Sequence, residues 1–373
     1  MPVIEIKPID TLFFRNGKPF DMGEDNWAEG IFPPSPRSFY GAIRSAYFAA
    51  NSSLIGLANT NEDPTNSLRI KGFWIKRGDG LFCSSPLDYV REKNDKTGRL
   101  IPAKLGKRSE VFAGMTKGGY PFEFIPYSND DVQSSADYMI DSYALFDYDP
   151  YDDIYGYEVN SFFSSEPKIG VGLDNNTRSN SEGKLYRVGL NRLHSSFDQE
   201  KQAFKEQVSF VLEYDFDFVP KVLKLGGEGK TAICSIYNND KLTEEIYTPD
   251  QSEESKFFRV VFLTPSFLKK GWKLDLSEFL DDEFEIKLIS AFVGKPEAIG
   301  GWNIKEKKPK PMKKAVPAGS TYYFQIKSDH SFDDITMELK KTPVLNNDEQ
   351  AGREGLGLFA CTPLNVNSLI IDL

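Results

Sequence analysis

The apolar positions change period several times along the chain, and each change marks an element. Val3 to Phe14 reads as a strand, followed by a Gly/Pro-rich loop. In SPRSFYGAIRSAYFAA the spacing lengthens to that of a helix: Ser35 suits the cap, Pro36 the first helical position, and Phe39, Ile43, Ala46 and Ala50 fall on one face. Arg37, Gly41 and Arg44 fall on the other face. A loop over 51–67 precedes a strand at 70–76 (IKGFWIK), and from 78 to 160 the runs become short and broken by Gly, Pro, Asp and Tyr, the pattern of an insertion. Two apolar arms, Ile169 to Leu173 and Leu185 to Leu190, flank a polar tip, which predicts a projecting β-hairpin over 168–192. VSFVLEYDFDF then alternates Phe210, Leu212, Tyr214, Phe216 and Phe218 with mostly polar groups, the clearest strand signal in the chain. PKVLKL is a short helical candidate, GGEGK a turn and TAICSIY a strand.

These elements run strand, helix, strand, insertion, strand, helix, strand, the order of a ferredoxin-like (RRM-like) domain over 1–238. The polar stretch 240–255 is a linker. KFFRVVFL, KLISAFVG, STYYFQIK and LGLFACTPL follow as strands, with helical candidates between, predicting a second ferredoxin-like domain over 256–373. The expected fold class is α+β, with a long insertion at about 78–160 in the first domain.

A length of 373 residues agrees with two domains, and 40% hydrophobic with 27% charged residues describes a folded chain. The charged N-terminus reads as neither a secretory signal nor a membrane span, so a cytoplasmic location with no membrane partner is expected. Cys83, Cys234 and Cys361 are odd in number and far apart, which favours reduced thiols over a disulfide framework. The net charge of −10 excludes a protein coated in nucleic acid over its whole surface, so any RNA site is local. Charge is segregated: Asp141 to Glu158 holds six acidic residues and no basic ones, whereas Lys305 to Lys314 holds six lysines against one glutamate. The acidic run is expected to face protein or solvent.

Several motifs invite chemistry. Gly229, Lys230 and Thr231 match the end of a phosphate-binding P-loop, but Lys224 stands where its first glycine belongs and a strand follows where a helix is required. Nucleotide hydrolysis is therefore not expected. Gly226, Gly227 and Gly229, flanked by Lys221, Lys224 and Lys230, still suit close approach of backbone to a phosphate chain; a close-packed turn is the plainer reading. Arg37 and Arg44, seven residues apart on one helix face, form a second candidate phosphate contact, and Lys168, Arg178, Lys184 and Arg187 line the hairpin. The two histidines, His194 and His330, and the scattered cysteines offer no spacing for a metal, and no cofactor is implied.

VGLDNNTRSNSEGKLY is similar to the hairpin of RAMP proteins in CRISPR effectors, and LKLGGEGK resembles their glycine-rich loop. TLFFRNGKPF, PPSPRSFYGAIRSAY and GGWNIKEKKPKPMKKAVPAGSTYYF narrow the resemblance to the third subunit of the Cmr complex, the type III-B effector. Asn180 and Lys230 differ from the alanine and arginine frequent in that pattern. The resemblance implies two ferredoxin-like domains and no catalytic activity. It also implies recognition of the crRNA 5′ handle and docking on the large polymerase-like subunit beside a neighbouring RAMP backbone subunit. The RNA-binding set is then Lys224, Gly226, Gly227, Gly229, Lys230, Arg178, Lys184, Arg187, Arg37 and Arg44. The alternatives are the equivalent subunit of another type III complex, or a RAMP-type endoribonuclease processing precursor crRNA, for which His194 is the candidate acid/base group.

Overall fold

A computed structural model of the chain describes residues 1–15, 27–28, 30–107, 122, 124–127, 131–146, 148–149, 152–173, 180–194, 196–198, 203–238, 255–303, 308–364 and 370–371. It is a mixed α+β structure that divides into two compact units. One comprises 1–81, 159–237 and 298–313; the other comprises 82–158, 238–297 and 314–373. The broken stretch after residue 81 thus groups with the C-terminal half of the chain, and a late segment groups with the N-terminal half.

In the first unit the strand Val3–Pro8 lies between Val208–Asp215 and Thr231–Ile236, with Arg69–Arg77 beyond one and Val222–Lys224 beyond the other. Every pair is antiparallel. Numbered by chain order, the four longer strands run 2-3-1-4 across the sheet. Ile6 faces both Phe210 and Cys234, so the alternation seen in sequence becomes a ladder of apolar pairs. The helix Pro36–Ala50 starts with Pro36 at its first position, as the sequence predicts, although the Ser35 hydroxyl makes no capping bond. Its buried face carries Phe39, whose ring centroid lies 5.1 Å from that of Phe73 and 5.0 Å from that of Phe210. Of the residues placed on that face by spacing, Ala46 is half-buried and Ala50 exposed, whereas Tyr40 and Phe48 are buried. PKVLKL is not helical: Val222–Lys224 is a strand in register with Thr231–Ile233, with Leu223 buried on one sheet face and Val222 and Lys224 exposed on the other.

The hairpin is longer than its apolar arms. Phe163–Leu173 pairs with Asn180–Leu193 from Phe163↔Leu193 to Leu173↔Asn180, with a register shift between Val171 and Leu173. Its tip, including Arg178, lies outside the described residues.

The second unit repeats the order 2-3-1-4, with Ile286–Phe292, Thr321–Ile326, Phe257–Phe262 and Phe359–Pro363 side by side and antiparallel. The helix Phe332–Lys341 begins with a reciprocal Ser331/Asp334 capping box and buries Phe332, Ile335 and Leu339. Phe258 lies 5.4 Å from Phe324 and 5.8 Å from Phe332, ring to ring, at the centre of this core. On the opposite sheet face sits a buried charge. Arg259, fully buried, donates to Asp88 at 2.7 Å, to the Thr362 hydroxyl at 2.8 Å and to the Leu145 carbonyl at 3.1 Å. The Tyr323 hydroxyl donates to the same Asp88 oxygen at 2.7 Å, and the guanidinium carbon stands 3.5 Å from the Tyr148 ring centre. Burial works against the charged guanidinium, but the Asp88 carboxylate together with the oxygens of Tyr148, Tyr89 and Tyr323 more than offsets it and its pKa rises.

Candidate nucleic-acid interface around the glycine loop

Two chain reversals meet at the end of the first unit's sheet. The turn after Val222–Lys224 needs left-handed backbone: φ is +76° at Gly226, +59° at Glu228 and +67° at Gly229. The Gly227 amide donates to the Phe13 carbonyl at 2.7 Å, and the Leu225 amide donates to the Lys230 carbonyl at 2.9 Å. A Cβ on Gly226 would stand 2.5 Å from the Phe13 carbonyl oxygen, whereas one on Gly229 would meet nothing within 4 Å. The turn is therefore pressed onto Phe13 at one end and open at the other. Residues 226–229 are exposed, and among the described residues the amides of Gly226, Glu228 and Gly229 have no acceptor. Clustered amides in such turns form anion-binding concavities.

Lys168, on the first hairpin strand, donates to Glu228 at 2.7 Å, so the hairpin and the glycine loop, separated by 60 residues, share one surface. Lys230 pairs with Asp10 at 3.1 Å, Arg192 reaches the other Asp10 oxygen at 3.0 Å, and Arg192 also pairs with Glu166. Three acids and three bases thus alternate around the loop. Asp10 and Glu166 lie in no motif, and Glu228, although inside the glycine-rich segment, has no role in its pattern; the net charge of −10 is the sequence signal that cations here have partners. Lys224 is exposed and makes no ion pair with any described residue.

Asp10 is held at about 2, first by a hydrogen bond from the Thr11 amide and then by the Lys230 ammonium. Its folded pKa lies below the ordinary value, so its contribution is present above about pH 4 and is lost as the pH falls toward 2. The carboxyl NMR titration of Asp10 is expected to have its midpoint near that low value. Lys230→Ala should move it upward without restoring the ordinary pKa, because the Thr11 amide remains. A midpoint unmoved by the substitution would show that Lys230 does not hold this carboxylate.

The other expected site residues are dispersed. Arg187 is exposed on the second hairpin strand; Lys184 lies on the same strand, and only its backbone is described. Arg44 donates to the Thr65 hydroxyl at 2.8 Å and pairs with Asp63 at 2.5 Å, so its guanidinium ties down the loop after the helix. Arg37 points elsewhere, donating to the Gly300 carbonyl at 2.8 Å. The structure does not bring these two arginines to a common partner. Near the base of the hairpin, the exposed His194 places Nδ1 2.9 Å from the Ser161 carbonyl, which can only accept, so Nδ1 carries the proton in the neutral ring. Among the described residues, no group of three His, Cys, Asp or Glu could hold a metal, and no helix is long and apolar enough to cross a membrane.

The family model described as CRISPR-associated protein (Cas_Cmr3) matches residues 4–358. A chain of the cryo-EM structure of the type III-B Cmr-beta bound to cognate target RNA and AMPPnP, state 1, is 18% identical. That match covers 97% of this chain and 99% of the other, with a TM-score of 0.48. A chain of the Csm3-Csm4 subcomplex of the type III-A CRISPR-Cas interference complex is 13% identical over 86% of this chain and 92% of the other, with a TM-score of 0.35. No curated protein sequence matches the chain.

Proposed function

We propose that this chain, which belongs to the Cas_Cmr3 family of CRISPR-associated proteins and is a subunit of a type III CRISPR effector, holds the crRNA 5′ handle without cutting it. In the same reading it docks on the large polymerase-like subunit, beside a neighbouring RAMP backbone subunit. Its two units are ferredoxin-like domains, a reading supported by the strand order 2-3-1-4 in each. Each unit departs from the full pattern at one crossover, where no α-helix of ordinary length stands among the described residues.

The observation that carries the reading is the Lys168–Glu228 contact, which joins the hairpin to the glycine loop, the two motifs behind the family resemblance. The exposed loop amides suit phosphate oxygens, and the hairpin suits a single strand passing alongside it. Because Lys168, Lys230 and Arg192 are each paired with a carboxylate, shape and hydrogen bonding at the loop contribute to selecting the ligand beside net attraction.

The hairpin cations provide the test. Arg178→Ala combined with Lys184→Ala is expected to weaken binding of handle-bearing RNA and to flatten the dependence of log K on log salt by about 1.4, which is about 0.7 for each lost single-strand phosphate contact. Unchanged affinity and slope would confine the hairpin to packing. Cutting of precursor RNA that disappears in His194→Ala would replace the holding function with an endonuclease.

A further inference from the structure

The second unit carries an exposed tryptophan on a turn that the surrounding chain holds in place. Bridges between Leu268 and Gly271 and between Lys270 and Lys273 close the turn, and Gly271 supplies the left-handed φ of +72° that it needs. The backbone of the turn is tied to the core from two sides. Tyr322, fully buried, donates its hydroxyl to the Trp272 carbonyl at 2.5 Å. Asn347 accepts from the Lys269 amide at 2.8 Å, donates its own amide to the Phe267 carbonyl at 2.9 Å and donates its side chain to Glu278 at 2.8 Å. Lys270 pairs with Asp275. The Trp272 ring stands edge-on to Phe122, with 5.8 Å between centroids, yet it remains 45% exposed.

We infer that Trp272 is the anchor of a protein-docking knob, entering an apolar pocket of a partner protein while Lys269 and Lys273 meet carboxylates on the rim of that pocket. A single exposed apolar side chain is ordinary, and what sets this one apart is its mounting and its neighbours. A large aromatic ring on a turn already fixed by the core loses little freedom when it is captured, which is the quality of a binding hot spot. Lys269 and Lys273 are exposed and make no ion pair with any described residue, whereas Lys168, Lys230, Arg192, Arg44 and Arg259 are each held by a carboxylate. Charge also selects protein over nucleic acid. Residues 269–285 hold three lysines against six carboxylates, so a polyanion lying across this surface meets an excess of negative charge. A compact acid-rimmed pocket reaches the two unpaired lysines alone. The inference lies outside the handle-holding reading and takes from the proposed function only the presence of neighbouring subunits.

Photo-crosslinking tests the knob. The full chain, with Trp272 replaced by p-benzoylphenylalanine, is co-expressed with the remaining subunits of the effector and irradiated. The expected result is an adduct with one of those subunits that survives ribonuclease. The same group in place of Met337, which is 66% exposed in the same unit, is expected to give none. An adduct removed by ribonuclease, an adduct with a second copy of this chain, equal adducts from both positions or no adduct at all overturns the inference. Trp272→Ala is then expected to weaken retention of the crosslinked subunit roughly thirtyfold, the loss typical of a buried aromatic anchor. Should that variant melt lower, Lys269→Glu with Lys273→Glu changes only exposed side chains and is expected to weaken retention roughly tenfold, with recovery when carboxylates at the crosslinked pocket are changed to lysine. Unchanged retention in folded variants overturns the inference. Handle-bearing RNA and Gly226→Val judge the handle-holding reading separately, and a missing adduct leaves that reading standing.

Discussion

Asp88→Ala should lower the unfolding free energy by about 3–5 kcal/mol, because it leaves the Arg259 guanidinium buried without its counter-charge. Arg259 has no exposed surface, and Asp88 accepts from both Arg259 and Tyr323 at 2.7 Å. Arg259→Ala should cost a comparable amount by stranding Asp88. Replacing both with apolar residues, Asp88→Leu with Arg259→Met, should recover much of the loss, since neither charge then remains to be desolvated. Denaturant unfolding of the four proteins forms a double-mutant cycle. Additive losses with no coupling would show that the pair is not an energetic unit. The pairing also has a positional role: Asp88, Leu145 and Tyr148 lie in the stretch read from sequence as an insertion, and Arg259 binds them to the central strand of the C-terminal sheet.

Gly226→Val should weaken retention of handle-bearing RNA by more than tenfold and lower the melting temperature by a few degrees. The causes are separate and both local. A branched residue at φ +76° is strained by about 1–3 kcal/mol. Its Cβ would also press within 2.5 Å of the Phe13 carbonyl, the acceptor of the Gly227 amide. The turn has to lift from Phe13, moving Glu228 away from Lys168 and separating the loop from the hairpin. Gly229→Ala makes the contrast: it has a similar φ but nothing within 4 Å of a Cβ, so it shares the strain without the clash. Equal binding by wild type and Gly226→Val in a folded sample would show that RNA does not use this turn.

Periodicity made the helix Pro36–Ala50 and the strands Arg69–Arg77 and Val208–Asp215 legible, because each has one regular apolar face. It failed at PKVLKL, where three residues of strand are too short for a period and the pairing partner decides. It failed also over 82–158, where the strands among the described residues, two to five residues long, leave no repeat to detect. Arg259 was hidden inside FFRVVF: in a strand with one wet face an arginine at that position belongs in solvent, and only the covering of both faces turns it into a core residue. The glycine loop and the hairpin were recognisable as segments, whereas their meeting through Lys168 and Glu228 is a tertiary fact with no local trace. Arg44 illustrates the same limit, since its partner Asp63 lies nineteen residues away, beyond the spacing at which helix pairs are read.

Under the proposed function, the alternation of Asp10, Lys230, Arg192, Glu166, Lys168 and Glu228 around the loop bears on how the protein would behave among other RNAs. An unpaired cationic loop would capture transcripts indiscriminately, and each wrong encounter would have to be undone before the guide could enter. With Lys168, Lys230 and Arg192 already held by carboxylates, the loop presents a weaker long-range field than its cations alone would give, and a passing strand gains from it chiefly by fitting the exposed amides. Such a loop forgoes electrostatic acceleration of encounter in return for brief occupancy by wrong strands. If the loop holds the handle as proposed, loading of the guide there should accordingly be slow and weakly dependent on salt, with selectivity expressed as short residence times for RNAs that do not fit.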